Sequence, residues 1–471
     1  DGDGAAEVRE TLFAGFGVGE MWTRINNPRW GVDNWIYGVS GAGSAGTISG
    51  PRLAAPVSLG SVCFRFRADG SALEAASGTT HGFGQATDDW GDRFLCTNQQ
   101  HAMHVIPIPN RYLVRNPYFA APDLTRNISA YGHPARVYPT SQPDPWRRAR
   151  AADPAWVRFY GEAEATASGY FTAASGQTIY QGGQFPPKFH GNHFSVDNAQ
   201  NLIHRCLLKP DGVNYAATRP NEHERTEFLT SSEQWFRPVN LTTGPEGSLY
   251  VVDMYRDIIE DYSAIPRNLQ QLYVQSLIAG SDKGRIWRIV REDARLSKTP
   301  DLSRATTAEL VSHLSRDNYW ERTTAQRLIL ERQDAAAAAT LRQLFQARPT
   351  PQARLHVLYT LDGLGALTPD LLLQGLRDTH FAVRVHALRM ADERLNEHPT
   401  LLASLLPLVD DPHPRVRLQS ALSLGESDSA AALDALIQLA VRHDDEAWMK
   451  ACLLYTSDAA DDQWRVGVGG G

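Results

Sequence analysis

The chain has 471 residues, 42% hydrophobic and 21% charged, with a formal net charge of −7 and a sequence pI near 6.1. A chain of this length holds two to four domain cores, and its acidic balance gives neither nucleic acid nor an anionic membrane surface an electrostatic reason to bind. It contains no run of about eighteen apolar residues, which excludes a helical membrane span within it.

The first ten residues, DGDGAAEVRE, fit a calcium loop of the D-x-[DN]-x-D-G-x5-E type entered at its third position. Asp1, Asp3, Glu7 and Glu10 would be side-chain ligands, and Gly4 would make the sharp bend that such a cage needs. The first ligand would precede Asp1, so the chain reads as truncated at its start. A solvated acidic turn accounts for the same letters.

From Trp22 to about Arg291 the sequence is dense in Gly, Pro, Asn and aromatic residues, with short β-branched runs set off by turn signals. The recurring word is a turn followed by a strand. It is seen in NNPRWGVDNWIYGVSG from Asn26, TDDWGDRFLCTN from Thr87, GNHFSVDNAQNLIHRCLLKPDG from Gly191 and TTGPEGSLYVVDMY from Thr242. Repetition of this word without intervening helices favours radial blades over a βαβ sheet. The expectation is an all-β propeller over residues 1–295, about four blades or more and incomplete.

Within that region the polar segment 141–176 reads as a surface insertion with a short helix or two, its Arg147, Arg148 and Arg150 forming a solvated loop. His101 and His104 are three apart, which on a strand turns them to opposite faces and argues against a shared metal. In FRPVNLTTGPEGSLYVVDMYRDIIE, Tyr250 to Val252 read as a strand covered on both faces. Arg237 and Asn240 sit at the entry of that segment, and Asp253, Arg256 and Asp257 at its exit. Lys283 and Arg285 flank a last strand, GRIWRIV. Cys63, Cys96, Cys206 and Cys452 are widely separated, with no CxxC, no CxxCH and no zinc spacing.

After about Thr299 the periodicity becomes helical. Arg322, Arg354, Arg384 and Arg417 recur at spacings of 32, 30 and 33 residues, as the numbering gives directly, each after an apolar helix. A two-helix unit cannot cover its own apolar stripe, so such units stack. Residues 300–450 are expected to form an all-α solenoid of HEAT-like repeats. The tail 452–471, opening CLLYTSDAAD, resembles the conceptual translation of a transposon-end sequencing adapter and is expected to be disordered.

The ordered words RWGVDNWIYG, FGQATDDWGDRF, HVIPIPNRYLVRNPY, ASGQTIYQGGQFP, WFRPVNLTTGPEGSLYVVDMYRDIIE and DKGRIWRI, followed by HEAT-like repeats, resemble a known family. It is the PVC-type family of membrane-bound-dehydrogenase-like, haem-binding CxxCH multidomain proteins, whose propeller is similar to quinoprotein sugar dehydrogenases. The resemblance implies an exported, periplasmic or cell-surface protein: an oxidoreductase acting on a sugar or polyol with pyrroloquinoline quinone (PQQ) and calcium. It would pass electrons to a haem c domain present only in an intact parent.

In that reading His81, Arg237 and Asp253 would be catalytic, with His81 as the base, and Arg256, Lys283 and Arg285 would hold the cofactor. The alternative is a non-catalytic propeller and solenoid that binds a glycan or a protein partner through its repeats. A calcium-dependent adhesion module would rest on the first ten residues alone.

Overall fold

The computed structural model describes residues 8–19, 23–79, 82–115, 123–294, 298–443 and 448–449. It divides into two units, treated separately below. One comprises residues 1–105, 125–209 and 216–295, and the other residues 106–124, 210–215 and 296–471.

Among the described residues the first unit is a β-propeller whose blades are four antiparallel sheets, with a separate two-stranded sheet pairing Gly46–Ile48 with Val57–Leu59. Sheet one runs through Asn26–Trp30, Ile36–Val39, Phe64–Phe66 and Leu73–Ala75, and sheet two through Gly84–Thr87, Arg93–Cys96, Met103–Val105 and Thr125–Asn127. Sheet three runs through Ala174–Ile179, His193–Asp197, Leu202–Asp211 and Asn214–Thr218, and sheet four through Pro238–Thr243, Leu249–Asp253 and Arg285–Ile289.

The first strand of each sheet lies innermost, and these four strands touch in sequence. Gln85 Nε2 donates to Asn27 O at 2.6 Å, linking sheets two and one. Gly176 N donates to Phe83 O at 3.1 Å, linking sheets three and two. Arg29 Nη2 donates to Leu241 O at 3.0 Å, and Asn240 Nδ2 to Asn27 Oδ1 at 3.0 Å, so sheet four meets sheet one.

The close approach of inner strands explains Gly176. Its φ is +26°, and a Cβ there would lie 2.2 Å from Val239 O and 2.3 Å from Asn240 Cα. Only glycine allows both the conformation and the contact.

Between sheets three and four, Tyr180, Phe194, Val196, Ile203, Leu241, Leu249 and Val251 form one buried apolar cluster. The expectation that sheet four is covered on both faces holds for one face only: Val251 is buried, whereas its neighbour Val252 is 39% exposed. The segment before sheet three carries short helices at Pro145–Ala151, Pro154–Tyr160 and Glu162–Ala165, and the strand begins at Ala174. Arg147 is not solvated as expected. It is buried, and bonds Thr172 Oγ1 at 3.1 Å and Glu260 Oε2 at 3.4 Å.

The second unit is an all-α solenoid. Its helices pair as Thr307–His313 with Tyr319–Arg332, Ala337–Gln346 with Pro351–Gly363, Pro369–Leu376 with Phe381–Ala391, and Pro399–Leu405 with Pro414–Leu424. Ala430–Arg442 follows. Helix starts are set locally by N-caps: Thr306 forms a capping box with Glu309, and Thr350 accepts from Ala353 N.

Two of the recurrent arginines join successive repeats, whereas Arg322 and Arg417 bond carbonyls just before their own helices. Arg354 makes two 2.7 Å bonds to the carboxylate of Asp378, and Arg384 does the same to Asp411 at 2.8 and 2.9 Å. Residues 106–124 also belong to this unit. Their helix Asn110–Leu113 buries Tyr112, whose hydroxyl meets Asp392 and accepts from Gln419 Nε2 at 3.0 Å. That contact accounts for the apolar and arginine-bearing word HVIPIPNRYLVR.

Candidate functional site

The sequence-predicted residues fall at three places. Asp1, Asp3, Glu7 and His81 lie outside the described residues. Glu10 is exposed and pairs with Arg52 at 3.2 Å.

Arg237 and Asp253 come together at the ends of adjacent strands of sheet four, both buried. Arg237 N donates to Asp253 Oδ1 at 2.8 Å. Its guanidinium donates to Arg256 O at 3.2 Å, Asn198 O at 3.2 Å, Asp144 Oδ1 at 3.1 Å and the carbonyl of Asp257. Asp253 also accepts from Tyr255 N and from Trp287 Nε1, each at 2.8 Å. Arg256 contributes its backbone carbonyl to this knot. Lys283 and Arg285 are exposed, and the Arg285 guanidinium lies 3.4 Å from the centre of the Tyr255 ring.

A second constellation lies between sheets two and three. His204 and Cys206 sit two apart on the strand Leu202–Asp211, so both side chains leave by the same face. His101 comes from the turn before Met103–Val105, and Tyr131 from the loop after Thr125–Asn127. His101, His204 and Cys206 are completely buried, and their donor atoms lie within 4.8 Å of one another.

The Tyr131 hydroxyl sits among them. It is 3.0 Å from His101 Nε2, 2.7 Å from His204 Nε2 and 2.9 Å from Cys206 Sγ, and Sγ is 3.6 Å from His101 Nε2. On its other side His204 Nδ1 meets Glu227 Oε2 at 2.5 Å, and Glu227 Oε1 accepts from Arg219 Nη2 at 2.9 Å and Tyr138 N at 3.0 Å. Phe171 stacks on His101 with centroids 4.5 Å apart.

Burial and charge pull these groups in opposite directions. Burial would push the Cys206 thiol up, but His204, His101 and His193 outweigh it and hold it well below the usual thiol range. Burial would lower His204, yet Cys206 and Glu227 raise it to about 9. For His101 burial wins and takes it down to about 4. The arrangement therefore sets a thiol held low beside an imidazole held high, next to a second imidazole held low and a phenol, with the nitrogen and sulfur donors buried. Such a set can coordinate a metal ion or lock two blades together. Its burial excludes direct attack on a substrate in solution.

The pairing of His101 with His204 and Cys206 bridges more than a hundred residues, which is why the spacing argument on His101 and His104 missed it. The one local signal is the H-x-C word on a strand. His104 is buried elsewhere, its Nε2 lying 3.9 Å from Asp92 Oδ1.

Comparison with known proteins gives two family matches. Residues 1–293 match a domain of unknown function, DUF7133, and residues 368–453 match HEAT repeats. No curated protein matches the chain. Among solved structures, a crystal structure of glucose dehydrogenase is similar at 17% identity and a TM-score of 0.27, over 48% of this chain and 60% of that one. This chain thus spans less than two thirds of that enzyme's length. A chain from a structure of microtubule plus-end tracking by XMAP215, CLIP-170 and EB1 is similar at 16% identity and a TM-score of 0.23, over 42% of this chain and 85% of that one. Scores this low establish no shared activity. With well over half of its length matched by one family model, the chain belongs to the DUF7133 family, its propeller followed in sequence by HEAT repeats.

Proposed function

We propose that the chain is a non-catalytic scaffold, exported to the periplasm or cell surface, whose helical repeats hold a protein partner. The observation that carries this reading is the use of Arg237 and Asp253 as framework. Every guanidinium nitrogen of Arg237 and both carboxylate oxygens of Asp253 are spent on neighbours within the chain. Stacked helical pairs supply the extended surface that a protein partner needs.

A second reading is a quinoprotein-like oxidoreductase acting on a sugar or polyol with PQQ and calcium, feeding a haem c domain of a longer parent. It is supported by the exposed Arg285, whose guanidinium lies beside the rings of Tyr255 and Trp287, and by the exposed Lys283 two residues before it. Cations next to aromatic faces suit a planar, carboxylate-bearing quinone.

One assay separates the two. The chain is incubated with PQQ and calcium, freed of unbound quinone, and tested for dye reduction across sugars and polyols. The scaffold reading expects neither retained quinone nor dye reduction. Sugar-dependent dye reduction that disappears in the Lys283→Ala/Arg285→Ala double variant overturns it in favour of the oxidoreductase.

A further inference from the structure

We propose that His101, His204, Cys206 and Tyr131 form a closed four-donor zinc site that pins sheet two of the propeller to sheet three. The first support is shape. Four ligands at 2.0–2.3 Å from a tetrahedral zinc stand about 3.3–3.8 Å apart. The donors here already surround one another at 2.7 to 3.6 Å along the four edges given above, so admitting an ion needs each to retreat by a few tenths of an ångström.

The second support is independent of the donors themselves. A zinc-bound imidazole characteristically gives its other nitrogen to a carboxylate, which fixes the ring and raises its basicity. His204 does this: Nδ1 is held by Glu227, and Glu227 in turn by Arg219 and the Tyr138 amide. Nε2 of His204 is thereby aimed at the cluster. His101 is held from the side by the stacked Phe171 ring.

Donor chemistry selects the ion. A thiolate and two imidazoles favour zinc or copper over calcium or magnesium, which prefer oxygen cages. A phenol oxygen as the fourth donor, where blue-copper sites carry a long thioether bond, favours zinc. Charge is also partly compensated. The Cys206 thiolate offsets part of the ion's charge, and Glu227 is already matched by Arg219.

Because the three protein-bound sulfur and nitrogen donors are fully buried and the fourth position is filled from within, the site has no open place for substrate. It is structural, in the sense that its binding free energy is folding free energy. Tyr131 itself is only half-buried.

The test uses the whole chain, purified without a metal-affinity tag. Elemental analysis is expected to find about one zinc per chain. After stripping under denaturing conditions and refolding with cobalt, the wild type is expected to show tetrahedral visible bands and a near-ultraviolet thiolate-to-cobalt band. Cys206→Ser should lose that thiolate band. Should that variant fail to fold, Glu227→Gln keeps the four donors and is expected to bind zinc about 10–100-fold more weakly.

A folded wild-type chain that holds less than about 0.1 equivalents of zinc or cobalt, both as purified and after refolding with either metal, overturns the proposal. So does a thiolate-to-cobalt band that survives in a folded Cys206→Ser chain. Unchanged zinc affinity in Glu227→Gln would equally overturn it.

Discussion

The guanidinium of Arg384 grips the carboxylate of Asp411 through two parallel hydrogen bonds, Nε to Oδ2 at 2.8 Å and Nη2 to Oδ1 at 2.9 Å. The same arginine donates from Nη1 to the carbonyl of Asp378 at 2.7 Å, so one side chain ties the start of its own helix to the next repeat. Both partners of the ion pair are largely shielded from water, which makes the loss of either one costlier than the loss of both. Arg384→Ala or Asp411→Ala is expected to destabilise the solenoid by about 3–5 kcal/mol, and the double variant Arg384→Met/Asp411→Leu by much less. Urea denaturation followed by helical circular dichroism checks this; equal costs for single and double variants would defeat the account.

The histidines that start two of the inner helices should make the solenoid acid-sensitive. His413 Nδ1 accepts from Arg415 N, and His380 Nδ1 from Ala382 N, each at 3.3 Å, which requires the neutral ring. Burial, then the nearby Arg415, takes His413 down to about 4; burial, helped by Arg354 and Arg384 against the pull of Asp378, lowers His380.

A histidine lowered on folding contributes stability above its unfolded value near 6.5, and that contribution drains away as pH falls toward the folded value. The solenoid's melting temperature is therefore expected to drop between about pH 6.5 and 4. His413→Asn keeps an N-cap acceptor without a titrating ring and should flatten part of that slope. A slope identical to wild type would contradict the assignment.

At the propeller's centre, Gly176→Ala is expected to be among the most damaging single methyl additions. The new Cβ would run into the backbone of Val239 and Asn240, which cannot swing aside as a side-chain tip could. Overpacking of this kind costs about 1–3 kcal/mol where side chains can yield, and more where backbone must move. Comparison with Gly183→Ala, whose added methyl meets nothing within 4 Å, provides the control. Matching melting temperatures for the two variants would refute the close-approach argument.

Arg237→Met should behave as a structural variant. Removing the guanidinium leaves the carbonyls of Asn198, Arg256 and Asp257 without their donor, and the Asp144 carboxylate, among the described residues, with only Arg147 Nε at 3.8 Å. A buried charge stripped of its partner costs about 3–5 kcal/mol. Thermal unfolding followed by tryptophan fluorescence is the measurement, and a variant as stable as wild type would remove Arg237 from the framework.

What the sequence disclosed was local. Turn residues followed by short β-branched runs announced the blades, and the regular return of Arg322, Arg354, Arg384 and Arg417 announced the repeats, because both signals are written within a few dozen residues. The partners of two of those arginines were equally near at hand, since Asp378 and Asp411 lie just before the second helices of the following units. The His101, Tyr131, His204 and Cys206 constellation was hidden because its members are carried by three separate segments and meet only when two sheets pack. Arg237 and Asp253 were grouped from the sequence as catalytic residues, but charge and position alone do not tell a ligand clamp from a strut. That difference lies in how many of their atoms already have partners, which only coordinates reveal.

The two bidentate ion pairs between repeats, Arg354 with Asp378 and Arg384 with Asp411, run from an arginine of the earlier unit to an aspartate of the later, whereas Arg394 with Asp362 and Arg442 with Asp410 run the other way. Severing the array between Phe381–Ala391 and Pro414–Leu424 would part Arg384 from Asp411 and leave a bare cation on one piece and a bare anion on the other. Each junction thus carries its own pattern of signs, so the bonds that bind neighbouring repeats also bear on which shuffled or duplicated repeats could be spliced together.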